Sequence, residues 1–224
     1  MSAPLARCPA PANAALKGAD QLEALLRASP GLMAALHAAR AVALPSWRIV
    51  SGAVYQTAWN GLTGRPDMYG IADIDLAYLD PDTSWDAEDQ VIRRAEMLMA
   101  AEYPNLPPLQ VRNQARVHLW YPERFGHAIP RLSSVEDGMR RYAARAHAVG
   151  VRLEADGRLD IAAPFGLADI LTLRIAPNPA LPNAATYAAK AARQRALWPE
   201  LTIAPWPDAG PAPAPPLPHS RRIE

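Results

Sequence analysis

Residues 73–79, Asp-Ile-Asp-Leu-Ala-Tyr-Leu, constrain this chain more than any other stretch. The alternation is that of a half-buried strand, with Ile74, Leu76 and Tyr78 turned into a core and Asp73 and Asp75 sharing the opposite face. Two carboxylates side by side repel, and at least one pKa rises unless a cation intervenes. A hard divalent ion with oxygen ligands, magnesium or manganese, resolves that repulsion. It can also bridge triphosphate oxygens and activate an attacking hydroxyl. Taken alone, Asp-x-Asp reads more simply as two exposed aspartates at a strand end, so the surrounding sequence decides.

Some twenty residues earlier, Trp47-Arg48-Ile49-Val50 reads as a short strand, followed by Ser51-Gly52 and a helix over 53–62 that Gly64-Arg65-Pro66 ends. A glycine at such a turn lets the backbone approach a phosphate closely, and the free N–H groups of the helix start attract an anion. A phosphate grip, a helix, a loop and paired aspartates on a neighbouring strand together form a coherent nucleotide–metal site.

The remainder reads as a mixture of helices and short strands, an α+β or α/β order. Leu22, Leu25 and Leu26, then Leu32, Met33 and Leu36, predict two helices, the second capped by Ser29 with Pro30 in its first turn. Ser84 or Asp86 caps a helix with Val91, Ala95 and Leu98 along one face. Residues 109–121 form a third strand candidate, and 133–148 an Arg-rich helix. Asp156-Gly157 between alternating runs predicts a hairpin. Gly166 to Leu171 and 186–197 are further helix candidates. We expect a flexible arm over 1–19, one domain over 20–203 and a disordered proline-rich tail over 204–224.

Composition sets the outer limits. The 224 residues are half apolar, enough to bury a core, and carry 23 Lys+Arg against 22 Asp+Glu. That balance argues against a bulk electrostatic binder of nucleic acid. Lys17 and Lys190 are the only lysines, and the Arg, Ala and Pro content fits a GC-rich bacterial genome. The single cysteine, Cys8, can form no internal disulfide and fits no zinc pattern. No run has transmembrane length and the first residues lack a signal-peptide core, so a cytoplasmic protein is expected.

Residues 49–79 resemble the head-domain signature of the DNA polymerase β nucleotidyltransferase superfamily, and are similar to that of tRNA CCA-adding enzymes. The signature is carried by Ser51-Gly52-Ala53-Val54-Tyr55-Gln56-Thr57, Gly64-Arg65-Pro66 and Asp73-Ile74-Asp75-Leu76. Asn113-Gln114-Ala115-Arg116-Val117-His118 and Pro164-Phe165-Gly166-Leu167-Ala168-Asp169 resemble segments of a family of small bacterial nucleotidyltransferase-like proteins, so the likeness spans roughly 20–203. It implies an α+β, polymerase β-type fold, a mixed or antiparallel sheet flanked by helices. It also implies magnesium or manganese on Asp73 and Asp75, and an NTP held at Ser51 and Gly52, with Thr57 and Arg116 as further nucleotide contacts. Relatives often have Arg-Asn or Arg-Asp at Tyr55-Gln56, a cation that could meet the triphosphate. Many also carry a third carboxylate on a later strand. Residues 109–121 contain none, and Asp160 is the remaining candidate; CCA-adding relatives can work with the pair alone.

The expected activity is metal-dependent transfer of a nucleotidyl group from an NTP to an acceptor that is RNA, a protein or a small molecule. The alternatives are an inactive nucleotide-binding module and an interaction domain that keeps the fold. Arg140, Arg141 and Arg145 form one basic helix face. Trp47, Trp59 and Trp120 are expected in the core, His118 as a structural hydrogen-bonder, and Asp169 in an ion pair.

Overall fold

A computed structural model describes residues 11–207, with side chains from residue 18 onward. Cys8, the first ten residues of the expected arm and the prolines from 211 to 218 lie outside the described residues. Helix α1, Pro11–Arg27, already begins inside the expected arm, and α2, Pro30–Val42, follows it. Ser29 caps α2 as expected: its Oγ accepts from the Leu32 N–H at 3.0 Å, and the hydroxyl donates to Asp67 Oδ1 at 2.5 Å.

Strand β1, Arg48–Val50, turns through Ser51 into α3, Gly52–Thr63, and β2, Ile74–Tyr78, comes next. Helix α4, Trp85–Glu102, capped by Ser84, leads to β3, Leu109–Asn113. Strands β4, Gly150–Leu153, and β5, Leu159–Ala162, make the hairpin at Asp156-Gly157, with Gly157 at φ 83°. The sheet order is β3-β2-β1-β4-β5, with β2 and β3 parallel and every other pair antiparallel. The sheet is therefore mixed and flanked by helices, the expected class.

Each sheet face packs differently. Ile49, Ile74, Leu76 and Tyr78 enter the main core with α1, α2 and α3, where Leu22, Leu26, Leu36 and Trp59 are fully buried. Helix α3 is buried along Ala53–Asn60. On the other face Val50 and Ala77 pack against Val135 and Met139 of α6, Val135–Met139. Strand alternation puts Asp75 on that same face as Ala77, and Asp73 two residues before it. The apolar cover ends short of them.

Two elements differ from expectation. The third strand stops at Asn113, whose side chain accepts from the Ala115 and Asp80 N–H groups and donates to the Asp80 and Asp82 carbonyls. Those bonds turn the chain into a 3₁₀ turn at 114–116 and helix α5, Val117–Phe125. Arg112 and Arg116 thus do not share a strand face. The expected helix over 133–148 is only α6; Ser134 caps it, and Arg145 lies in a separate 3₁₀ turn at 145–147. Arg140, Arg141 and Arg145 therefore form no common helix face.

The last described segment closes the domain. Helix α7, Ala168–Leu171, leads to β6, Arg174–Ile175; α8, Ala184–Leu197, leads to β7, Thr202–Ile203, parallel to β6. Trp198 is fully buried, edge-on to Trp59, and its Nε1 donates to Asn60 Oδ1 at 3.1 Å. Packing continues past 203: the Ala204 N–H donates to the Ile175 carbonyl at 2.9 Å, and Trp206 lies against Tyr187. Asp169 pairs with Arg174 at 2.7 Å, as expected.

Candidate functional site

Sheet register brings the two halves of the sequence motif together. Val50 is paired with Asp75, and Ser51 follows Val50 directly, so the turn into α3 opens beside the aspartates. Gln110 of β3 is paired with Asp75 from the other side, and its Nε2 donates to Asp73 Oδ2 at 2.8 Å. Asp75, Gln110, Val50 and Ser51 all line one cleft of about 900 Å³.

The turn is strained in a specific way. Ser51 sits at φ 57°, ψ −118°, a region that favours glycine. It is held there by its own N–H, which donates to the Val149 carbonyl at 2.8 Å, and by its carbonyl, which accepts from Val54 at 2.9 Å. No side chain caps α3 at this end. The start of a twelve-residue helix, with no side-chain cap, therefore opens beside the cleft at Ser51.

Electrostatics single out Asp75. Burial, and then the neighbouring charge of Asp73, push its carboxyl up to about 6, while Lys190 and Arg112 pull the other way. Burial lowers the Lys190 ammonium, and Asp75 draws it back up. Both cations line the cleft, Arg112 from β3 and Lys190 from α8. Burial and the like charge of Asp73 outweigh the two cations at Asp75, and a divalent cation there would relieve that repulsion. Among the described residues no group of three or more His, Cys, Asp and Glu could hold a metal unaided.

Other expected contacts lie elsewhere. Thr57 is buried in α3 and its hydroxyl donates to the Ala53 carbonyl at 2.7 Å, so it does not face the cleft. Arg116 is buried and committed to Glu88 at 3.0 Å and to the Thr83 carbonyl at 2.8 Å, with its guanidinium 5.1 Å from the Trp85 ring centre. It shapes the cleft wall from behind. Asp160 lies on β5, paired with Arg48 at 2.9 Å and Arg152 at 3.4 Å, and is no third acid of this site. Trp47 and Trp59 are core residues as expected, but Trp120 lines the cleft. His118 belongs to α5, not to a strand, and its buried Nδ1 has no partner.

Tyr55, at the position where the resemblance implies a cation, does not line the cleft. It is buried, stacks on His147 with ring centres 4.8 Å apart, and its hydroxyl accepts from Gln194 Nε2. Gln194 Oε1 meets His147 Nε2 at 2.9 Å. This neutral cluster ties α3 to α8. The sequence predicts a helix over 186–197 without indicating its cleft-facing side, and Lys190 stands in it among arginines.

The mixed five-stranded sheet flanked by helices is a nucleotidyltransferase-type fold. An NMR structure described as revealing a CCA-adding enzyme head domain is similar in fold, with a TM-score of 0.65 and 24% identity over 83% of this chain and 95% of that one. A nucleotidyltransferase family model matches residues 37–203, and the chain belongs to that family. No curated protein matches the sequence. Among the described residues no helix is long and apolar enough to cross a membrane.

Proposed function

We propose that this chain transfers a nucleotidyl group from an NTP to an acceptor nucleophile, using magnesium or manganese held by Asp73 and Asp75. The observation that carries this reading is the Asp73 and Asp75 pair, with the Asp75 carboxyl raised by burial and by Asp73, in register with the uncapped start of α3. The bound cation would supply charge stabilisation for the phosphates and the attacking oxygen. Ser51 and Gly52 backbone would hold the polyphosphate at the helix start. The acceptor oxygen attacks the α-phosphorus, the bond to the β-phosphate bridge breaks, pyrophosphate leaves, and the acceptor proton passes to solvent or to a carboxylate. The chain's residues contribute position and charge rather than a dedicated acid–base group.

The test is a thermal-shift titration with each NTP, with and without magnesium, on wild type and on the Asp73→Asn, Asp75→Asn double variant. A magnesium-dependent shift that the variant loses is the expected result. No shift with any NTP, or an equal shift in the variant, overturns the reading. Gln110 occupies the β3 position beside Asp75 where a third carboxylate could stand, which favours a second reading, nucleotide binding without transfer. That reading predicts the same shift with no pyrophosphate release when RNA, protein and small-molecule acceptors are screened.

A further inference from the structure

Helix α8 carries two stripes at helical spacing. Tyr187, Ala191 and Gln194 are buried against the domain. Asn183, Thr186 and Lys190, spaced i, i+3 and i+7, line the cleft instead. The Tyr55–Gln194–His147 cluster fixes which stripe faces which way.

The cleft-facing stripe has a direction. At one end Lys190 lies within electrostatic reach of Asp75 and Asp73. At the other, Leu181, just before the helix, packs with Tyr121, Ile129 and Leu132, an apolar wall that also lines the cleft. Seven residues of helix separate Asn183 from Lys190, a rise of about 10 Å. Asn183 is 9% exposed at the N-cap position, yet its side chain does not cap its own helix. Its carboxamide can therefore donate and accept toward the cleft. The chain's cations are arginine everywhere except Lys17 and Lys190. A compact ammonium on a flexible stem suits a polyphosphate as a point charge.

We propose that α8 reads the nucleotide: the Lys190 ammonium holds the β- and γ-phosphates, and the Asn183 carboxamide hydrogen-bonds a nucleobase lodged against Tyr121 and Leu132. This deepens the nucleotidyltransferase reading and rests on it. Lys190 thereby supplies, from α8, the cation that Tyr55 does not supply from α3.

The experiment measures affinity for a non-hydrolysable NTP and for the matching NMP, both with magnesium, on wild type, Lys190→Ala, Lys190→Arg and Asn183→Ala. Loss of one charge-assisted contact corresponds to about 10- to 100-fold in affinity. Lys190→Ala should weaken NTP binding by about that much, leave NMP binding within about threefold, and be largely rescued by Lys190→Arg. Asn183→Ala should flatten the preference among the four bases and keep the NTP-to-NMP ratio. If the ratio is unchanged in Lys190→Ala, while the Asp73→Asn, Asp75→Asn variant has lost magnesium-dependent binding, the role of α8 is overturned and the aspartate site stands. If the wild type binds no nucleotide, both fall together. Thermal melts of each variant distinguish lost binding from lost folding.

Discussion

Asp75 and Asp160 are strand aspartates of the same sheet, and they live under opposite rules. Asp160, on the edge strand β5, meets Arg48 and Arg152, and Arg48 also holds Glu136 at 2.5 Å. Asp75, on β2, has a second acid as its nearest charged neighbour in sequence, and Arg112 and Lys190 act on it across the cleft rather than in an ion pair. The first region neutralises each charge where it arises, which is how a partly buried ion pair supports a fold. The second buries a carboxylate beside a like charge, which is costly unless a ligand offsets it.

The largest expected effect comes from erasing that difference at Asp75. Asp75→Asn should lower nucleotidyl transfer by about 1,000-fold or more, as loss of a metal-positioning group does. The same change should stabilise the metal-free protein. The folded-state pKa of Asp75 is raised, so its neutral form is the one the fold prefers. Stability is highest below the unfolded value near 4 and declines as pH rises through about 6. Asparagine avoids that decline, and a gain of about 1–2 kcal/mol at pH 7, discounted for solvent in an open cleft, should appear in urea melts. A variant that is less stable and still active would erase the contrast with Asp160.

His147 offers a group kept neutral by burial. Its pKa is pushed down to about 3 by desolvation, with Lys190 adding to the shift. The unfolded chain therefore binds a proton below about 6.5 that the folded chain refuses. Stability should fall by about 1.4 kcal/mol per pH unit between roughly 6 and 4 from this residue alone. The urea midpoints of wild type and His147→Gln, compared across that window, should converge as pH falls; parallel lines would show that His147 does not govern the slope.

Arg48→Met removes the main cation of the Asp160 region and leaves Asp160 only Arg152 at 3.4 Å. Asp160 and Glu136 would lose their shared cation, and stability should drop by about 1–3 kcal/mol with nucleotide binding intact. A smaller effect separates the two regions by backbone. Positive φ falls on Gly157 in the β4–β5 hairpin but on Ser51 in the cleft. Ser51→Gly should raise stability by about 1 kcal/mol, and Gly157→Ala should lower it by a similar amount. Equal and opposite shifts on calorimetry would locate the stored strain at the site.

What the sequence revealed follows from which interactions are local. The β2 alternation, the Ser29 and Ser84 caps and the Asp156-Gly157 hairpin are written within a few residues of one another, and all are present in the fold. The strand drawn through 109–121 failed because Asn113 bonds to Asp80 and Asp82, some thirty residues away. Arg116 looked like a substrate contact because its partner Glu88 is equally distant in sequence. The cleft-facing stripe of α8 was invisible for the same reason: Asn183, Thr186 and Lys190 acquire direction only from Gln194 meeting Tyr55 across the core. Ser51, Gly52, Asp73 and Asp75 were legible because a strand, a turn and a neighbouring strand bring them together within one short stretch of chain.

The clamp made by Trp198 on Asn60 and by Tyr187 on the Ile175 and Ala204 carbonyls has a consequence for the chain as it is made. A domain folds as a unit once its chain has been made. Here the turn at Ser51 and the aspartates are synthesised early, but the helix that walls their cleft is seated only when residues near 204 are free. A chain still lacking those residues carries the two carboxylates without the enclosing helix in place. The timing places a checkpoint on the C-terminal side: a protein cut short before Trp198 would carry the complete local motif and lack the walled cleft in which to use it.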